Sequence, residues 1–204
     1  FQKEGYDEAA KMWIGTNPKV LKNGTRAQKL SFYNGRCYIA GYGNNEENEV
    51  EEARIWIDGQ AYNKLSQDND DKNKNGDYPA LANDIASDGD NWWCVGQERN
   101  SGVGYLPKVW INRSNNNLKR EGPASSLTCI KYENGTFYIG GNDGYHAMYW
   151  SATQKSSKEN RINNCQEYDL SSGVTQAKVD DIDVLNGIVV CCGYERSATG
   201  SNIP

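Results

Sequence analysis

Few residues of this 204-residue chain are spaced for chemistry. The sharpest local pattern is Asp71-Lys72-Asn73-Lys74-Asn75-Gly76-Asp77, with oxygen-bearing side chains at alternate positions and a glycine at the sixth. This matches the first half of a calcium loop, in which glycine permits the sharp turn that converges carboxylate and carboxamide oxygens on a hard cation. Asp71, Asn73, Asn75 and Asp77 are therefore candidate calcium ligands. The second half of the loop is missing. Ala82 stands where the bidentate Glu belongs, so Asp68, Asp70 or Asp84 would have to replace it, and a solvated Asp/Asn/Gly loop accounts for the same residues.

Catalysis has less support. His146 is the single histidine, so a Ser-His-Asp or Cys-His arrangement would have to use it. Neither a Gly-x-Ser-x-Gly elbow nor a metal-binding His pair occurs, and no residue is assigned a catalytic role. A glycosidase needs only two carboxylates at a suitable separation, and Glu98, Asp143 and Glu195 are the acids placed to supply them.

Charge and composition narrow the partners. A net charge of −5 and a pI of 5.0 argue against a nucleic-acid surface, which needs clustered Lys and Arg. No apolar run approaches the ~18 residues of a membrane span. No leader peptide is visible, and the start at Phe1 without Met points to a processed or trimmed chain. Sequons at Asn23, Asn112 and Asn134, with 13 Tyr, 6 Trp and one His, lean toward an extracellular or cell-surface protein. The six cysteines lack CxxC spacing and the density of a disulfide scaffold. Most fall inside strands, where a small apolar residue suffices.

The elements that position these residues repeat. Ser31-Phe32-Tyr33-Asn34-Gly35-Arg36-Cys37-Tyr38-Ile39-Ala40-Gly41 reads as a β-hairpin, because Asn-Gly supplies the two positive φ angles of a type I′ turn between apolar runs. Related stretches surround Gly89, Gly135 and Gly187, about 50 residues apart. A tryptophan strand follows each of the first three: Ala53-Arg54-Ile55-Trp56-Ile57, Pro107-Lys108-Val109-Trp110-Ile111 and Ala147-Met148-Tyr149-Trp150-Ser151. The fourth copy stands at the start of the chain as Ala10-Lys11-Met12-Trp13-Ile14, so the two ends complement each other. Short outer strands are expected at 19–21, 61–65, 117–120 and 168–170. No segment has a sustained helical period.

Four strands in each of four repeats mark propeller blades. The chain resembles β-propeller repeat proteins, in detail the largely uncharacterised secreted bacterial propellers with Asn-Gly hairpins and Trp strands. It lacks the Gly-His and Trp-Asp pairs of WD40 repeats and the residue order of sialidase Asp boxes. The fold expected is all-β: a single domain over 1–204, a four-bladed propeller of four-stranded antiparallel blades, closed by the N-terminal outer strands pairing with the C-terminal hairpin. Such a closure leaves no exposed edge. A fragment of a larger propeller is the competing explanation.

In this architecture the loops from second to third strands lie on one face. They carry Tyr42, Gln97, Arg99, Asn142, Asp143, His146, Tyr194 and Arg196 just past the hairpin glycines. Aromatic faces with amide, carboxylate and guanidinium groups suit a sugar or peptide at a concave mouth. The function expected is a lectin-like binding module for a carbohydrate or protein ligand, with oligomeric state open. The alternatives are a carbohydrate-active hydrolase or lyase using carboxylates at that mouth, and a structural or assembly module.

Overall fold

The computed structural model describes residues 8–44, 50–65, 79–100, 104–112, 114–116, 118, 125–156, 159–172, 176–196 and 202–203. Every described element is a strand. A two-stranded hairpin comes first, β1 (Lys11–Ile14) with β2 (Asn17–Val20). Sheet 1 holds β3 (Arg26–Tyr33), β4 (Arg36–Asn44), β5 (Glu51–Ile57) and β6 (Gln60–Lys64) in that spatial order. Sheet 2 is built in the same way from β7 (Ala80–Ser87), β8 (Trp92–Asn100), β9 (Gly104–Ile111) and β10 (Ser114–Asn116). Sheet 3 comprises β11 (Ser126–Glu133), β12 (Thr136–Asp143), β13 (His146–Ser156) and β14 (Glu159–Asp169). Sheet 4 has three strands, β15 (Gln176–Leu185), β16 (Ile188–Arg196) and β17 (Asn202–Ile203).

The turns follow from residue type. Asn34, Asn134 and Asn186 adopt φ of 47°, 47° and 53°, each followed by a positive-φ glycine, as a type I′ turn requires. Sheet 2 departs from this. The Asp88 carboxylate there accepts the N–H groups of Asp90 and Asn91 and builds a longer loop.

The glycine that ends each second-strand motif has a separate cause. All four first strands slip register by one residue, at Ala27/Lys29, Ala82/Asp84, Leu127/Cys129 and Val179/Asp181. Opposite these bulges stand Gly41, Gly96, Gly141 and Gly193. A Cβ on any of them would land on the carbonyl oxygen of Arg26, Leu81, Ser126 or Lys178, respectively. The bulge and the glycine are one device, which bends the inner strand and turns the residue after it.

Apolar layers join the sheets face to face. Tyr38, Ala40 and Ile55 of sheet 1 meet Ile85, Trp92 and Trp110 of sheet 2. Trp93 and Val109 meet Phe137 and Trp150, with the Trp93 and Phe137 rings stacked at 4.1 Å. Cys129 and Tyr138 of sheet 3 meet Val179 and Ile182 of sheet 4. The β1–β2 hairpin covers the remaining face of sheet 1 through Ala10, Met12 and Leu21, against Cys37, Ile39 and Trp56.

Bulge residues add polar ties between neighbours. Asn83 Nδ2 donates to the Leu127 carbonyl at 2.7 Å, and Thr128 Oγ1 donates to that of Val179. On the turn side, the Glu133 carboxylate accepts the N–H groups of both Asn186 and Gly187 at 2.9 Å.

Several expectations change in detail. The first hairpin turns at Gly15-Thr16, so β2 begins at Asn17 rather than at the expected Lys19. The Lys/Ser/Asn-rich stretch after Ser151 extends β13 and forms most of β14, a strand of 11 residues. Residues 160–169 of this outer strand are exposed or half-exposed, with Ile162 packed against the core of sheets 2 and 3, so it shows no apolar alternation. The expected pairing of β1 with β16 is not among the described pairings: β16 pairs with β15 and, at Glu195 and Arg196, with β17.

Candidate functional site

The first strands of all four sheets line one cavity of 390 Å³. Lys29, Ser31 and Tyr33 come from β3, Asp84 and Ser87 from β7, Lys131 and Tyr132 from β11, and Asp181 from β15. These residues run from the bulge toward the hairpin turns. Tyr33 and Tyr132 approach edge to face at 6.2 Å, on sheets 1 and 3. Lys29 Nζ lies 3.9 Å from Asp181 Oδ1, and Lys131 Nζ lies 3.9 Å from Asp183 Oδ1. Hydroxyl, ammonium and carboxyl groups therefore alternate around the wall, with aromatic edges at one end.

Asp84 is the buried member. Its Oδ1 accepts the N–H of Ile85 at 2.8 Å and its Oδ2 that of Ile130 at 3.0 Å. Burial pushes its carboxyl up to about 6; the two backbone N–H groups, with Lys29 and Lys131, pull the other way and lose. Below that pH the site carries one negative charge fewer.

None of the eight residues expected from the loops lines this cavity. Tyr42 is buried in β4, and its carbonyl accepts the Thr25 N–H. Gln97 pairs across to Pro107, and exposed Arg99 to Tyr105. Asn142 donates to the Gly144 carbonyl, and Asp143 accepts the Ser125 hydroxyl at 2.8 Å. The Arg196 guanidinium stacks over the Tyr194 ring and donates to Gln176. The structure leaves these residues in separate local contacts at the opposite end of the strands from the tyrosines.

The three candidate acids are engaged as well. Glu98 is buried against Lys108 at 3.2 Å, and Glu195 accepts the N–H and hydroxyl of Ser172. His146 meets both Asp169 and Ser171, at 2.9 and 3.0 Å, but through the same Nδ1. A hydrolytic triad needs opposite ring nitrogens, so this cluster is a surface tie. Partial burial works to raise Asp169, but the hydroxyl and N–H of Ser171 together with His146 outweigh it and hold the carboxyl low.

Asp71, Asn73, Asn75 and Asp77 lie outside the described residues. Among the described residues no three His, Cys, Asp or Glu side chains are grouped to hold a metal, and no helix is long and apolar enough to cross a membrane. All six cysteines are unpaired, and burial pushes the Cys129 thiol up to about 12. The Asn112 carboxamide is bound to Trp92 N, Asn91 and Asn160, so its sequon is occupied by structure.

The sequence did carry a signal for the cavity. Lys29, Asp84 and Asp181 are charged residues two positions after Ala27, Ala82 and Val179, within strands otherwise rich in apolar residues.

No family of known proteins matches the chain, nor does any curated protein. Among solved structures the chain is similar to that of RS223-beta-xylosidase, with a TM-score of 0.44 and 14% identity over 91% of this chain and 78% of that one. A likeness of this degree carries neither an activity nor a site across.

Proposed function

We propose that this chain is a secreted or cell-surface binding module, a single four-bladed propeller domain that holds a carbohydrate in the cavity between its first strands. The cavity itself carries the reading. Sugars present apolar C–H faces beside hydroxyls that donate and accept. Tyr33 and Tyr132 offer aromatic surface, while Lys29, Ser87, Lys131 and Asp181 offer both donors and acceptors. Strands rather than loops hold these groups, so little ordering is needed on binding.

A glycan array read with the wild-type chain and with Tyr132→Ala tests this proposal. Binding to a defined glycan class that disappears in the variant is expected. A blank array, with a pull-down that captures a protein through the loops carrying Tyr42 and His146, would replace it with the protein-ligand alternative.

One observation favours the hydrolase alternative: Asp84, protonated in mildly acidic solution, shares the cavity with a second carboxyl at Asp181. Turnover of aryl glycosides that is lost in Asp181→Asn would establish it. The two backbone N–H groups on Asp84 engage both of its oxygens and favour the ionised form, which suits a clamp better than an acid that must carry a proton to the substrate.

A further inference from the structure

Two ammonium groups of the cavity are held by nothing at hydrogen-bond distance. Lys29 enters it from β3 of sheet 1 and Lys131 from β11 of sheet 3, with Asp84 on β7 of sheet 2. The Asp84 carboxyl senses both charges. It ties down neither, because its Oδ1 and Oδ2 are taken by the N–H groups of Ile85 and Ile130.

The aspartates of sheet 4 do not satisfy the lysines either. Asp181 Oδ1 accepts the Ile182 N–H and Asp183 Oδ1 the Val184 N–H, both at 3.0 Å. Those same oxygens are the atoms that lie 3.9 Å from Lys29 Nζ and Lys131 Nζ, which is beyond a hydrogen bond. Exposed ion pairs of this kind contribute little and are readily given up. Among the described residues neither ammonium donates a hydrogen bond, so each can bring three N–H donors to a ligand.

We propose that the sugar held in this cavity carries an anionic group, a carboxylate or a sulfate ester, and that Lys29 and Lys131 bind it together and so set the specificity of the site. The proposal rests on the carbohydrate reading above and narrows it. A hydroxyl is a weak acceptor for an ammonium, whereas a charge-assisted hydrogen bond to an anion is shorter and roughly twice as strong as a neutral one. The remaining groups call for a sugar rather than a bare anion. Asp181 keeps Oδ2 for a neighbouring hydroxyl, and Tyr33 and Tyr132 offer aromatic surface to a ring.

Charge balance points the same way. In mildly acidic solution Asp84 is neutral, and the lining then carries the two lysine charges against the single one of Asp181. The chain as a whole carries −5, so this positive excess belongs to the cavity and not to a generally basic surface.

Calorimetric titration of the wild-type chain in mildly acidic buffer, with matched oligosaccharides that are neutral, uronate-bearing or sulfate-bearing, tests the proposal. At least one anionic set should bind about tenfold or more tightly than the neutral set, by an excess that shrinks with added salt. Tighter binding of the uronates alone assigns a carboxylate and of the sulfated set alone a sulfate ester; either supports the proposal. Lys29→Gln combined with Lys131→Gln should remove the preference, and Lys29→Arg combined with Lys131→Arg, which restores the charge, should keep it. Neutral glycans bound as tightly as their anionic counterparts would overturn the inference and leave the carbohydrate reading standing. A preference that survives the Gln pair would place the anion elsewhere and overturn it too. No binding of any set would remove both.

Discussion

Asp84 Oδ2 accepts the backbone N–H of Ile130 at 3.0 Å, so a single carboxyl ties the first strand of sheet 2 to that of sheet 3 at the wall of the cavity. The same group is held near pH 6 by its burial. Structure and charge in the site are therefore coupled through one residue.

The sign of that coupling is fixed. The folded carboxyl titrates at about 6 against an ordinary 3.8, so the folded state binds more protons between those values. Stability from this group is fully present below about pH 4 and is lost as pH rises through 6. A shift of this size corresponds to about 3 kcal/mol. Urea denaturation of wild type and Asp84→Asn at a series of pH values should show their difference moving by about that amount between pH 4 and pH 7, against the wild type at the higher pH. A difference that stays constant would show that Asp84 is not the titrating group.

Glu98 and Lys108 form an ion pair deep in sheet 2, with the lysine side chain fully buried. Removing one partner takes a close counter-charge from a buried ion, at a cost of up to about 3–5 kcal/mol. Glu98→Ala should lower the denaturation midpoint strongly. Glu98→Leu combined with Lys108→Met should recover much of the loss, because an apolar pair of similar volume needs no desolvation of charge. A double variant as unstable as the sum of its singles would mean the pair is not coupled.

Gly141 stands where a Cβ would strike the Ser126 carbonyl across the bulge of sheet 3. Gly141→Ala has to open the bulge or unpair the strands, and should cost about 1–3 kcal/mol in chemical denaturation. An unchanged midpoint would show that the inner strand can yield there.

The hairpins were legible because Asn-Gly admits few backbone conformations and recurs at a fixed period. Trp56, Trp110 and Trp150 were legible as buried strand centres for the same reason of repetition. The cavity was not read from the sequence, since its residues depend on a bulge that rotates Lys29, Asp84 and Asp181 relative to plain alternation. The repeated Gly41, Gly96, Gly141 and Gly193 mark that bulge, but a glycine at a strand end also reads as the start of a loop. That second reading directed attention to Tyr42 and Gln97. The strand Glu159–Asp169 escaped because its residues from Asn160 to Asp169 are exposed or half-exposed, so water rather than a core sets its composition.

The proposed function places the ligand in the cavity between the first strands rather than on the loop face. Backbone amide shifts of the labelled chain, followed during titration with a glycan selected on the array, test this most directly. The largest changes are expected at Lys29, Ser31, Ser87, Lys131 and Tyr132, abolished by Tyr132→Ala. Changes confined to Tyr42, Arg99, Asp143, His146 and Arg196, and retained in that variant, would contradict it.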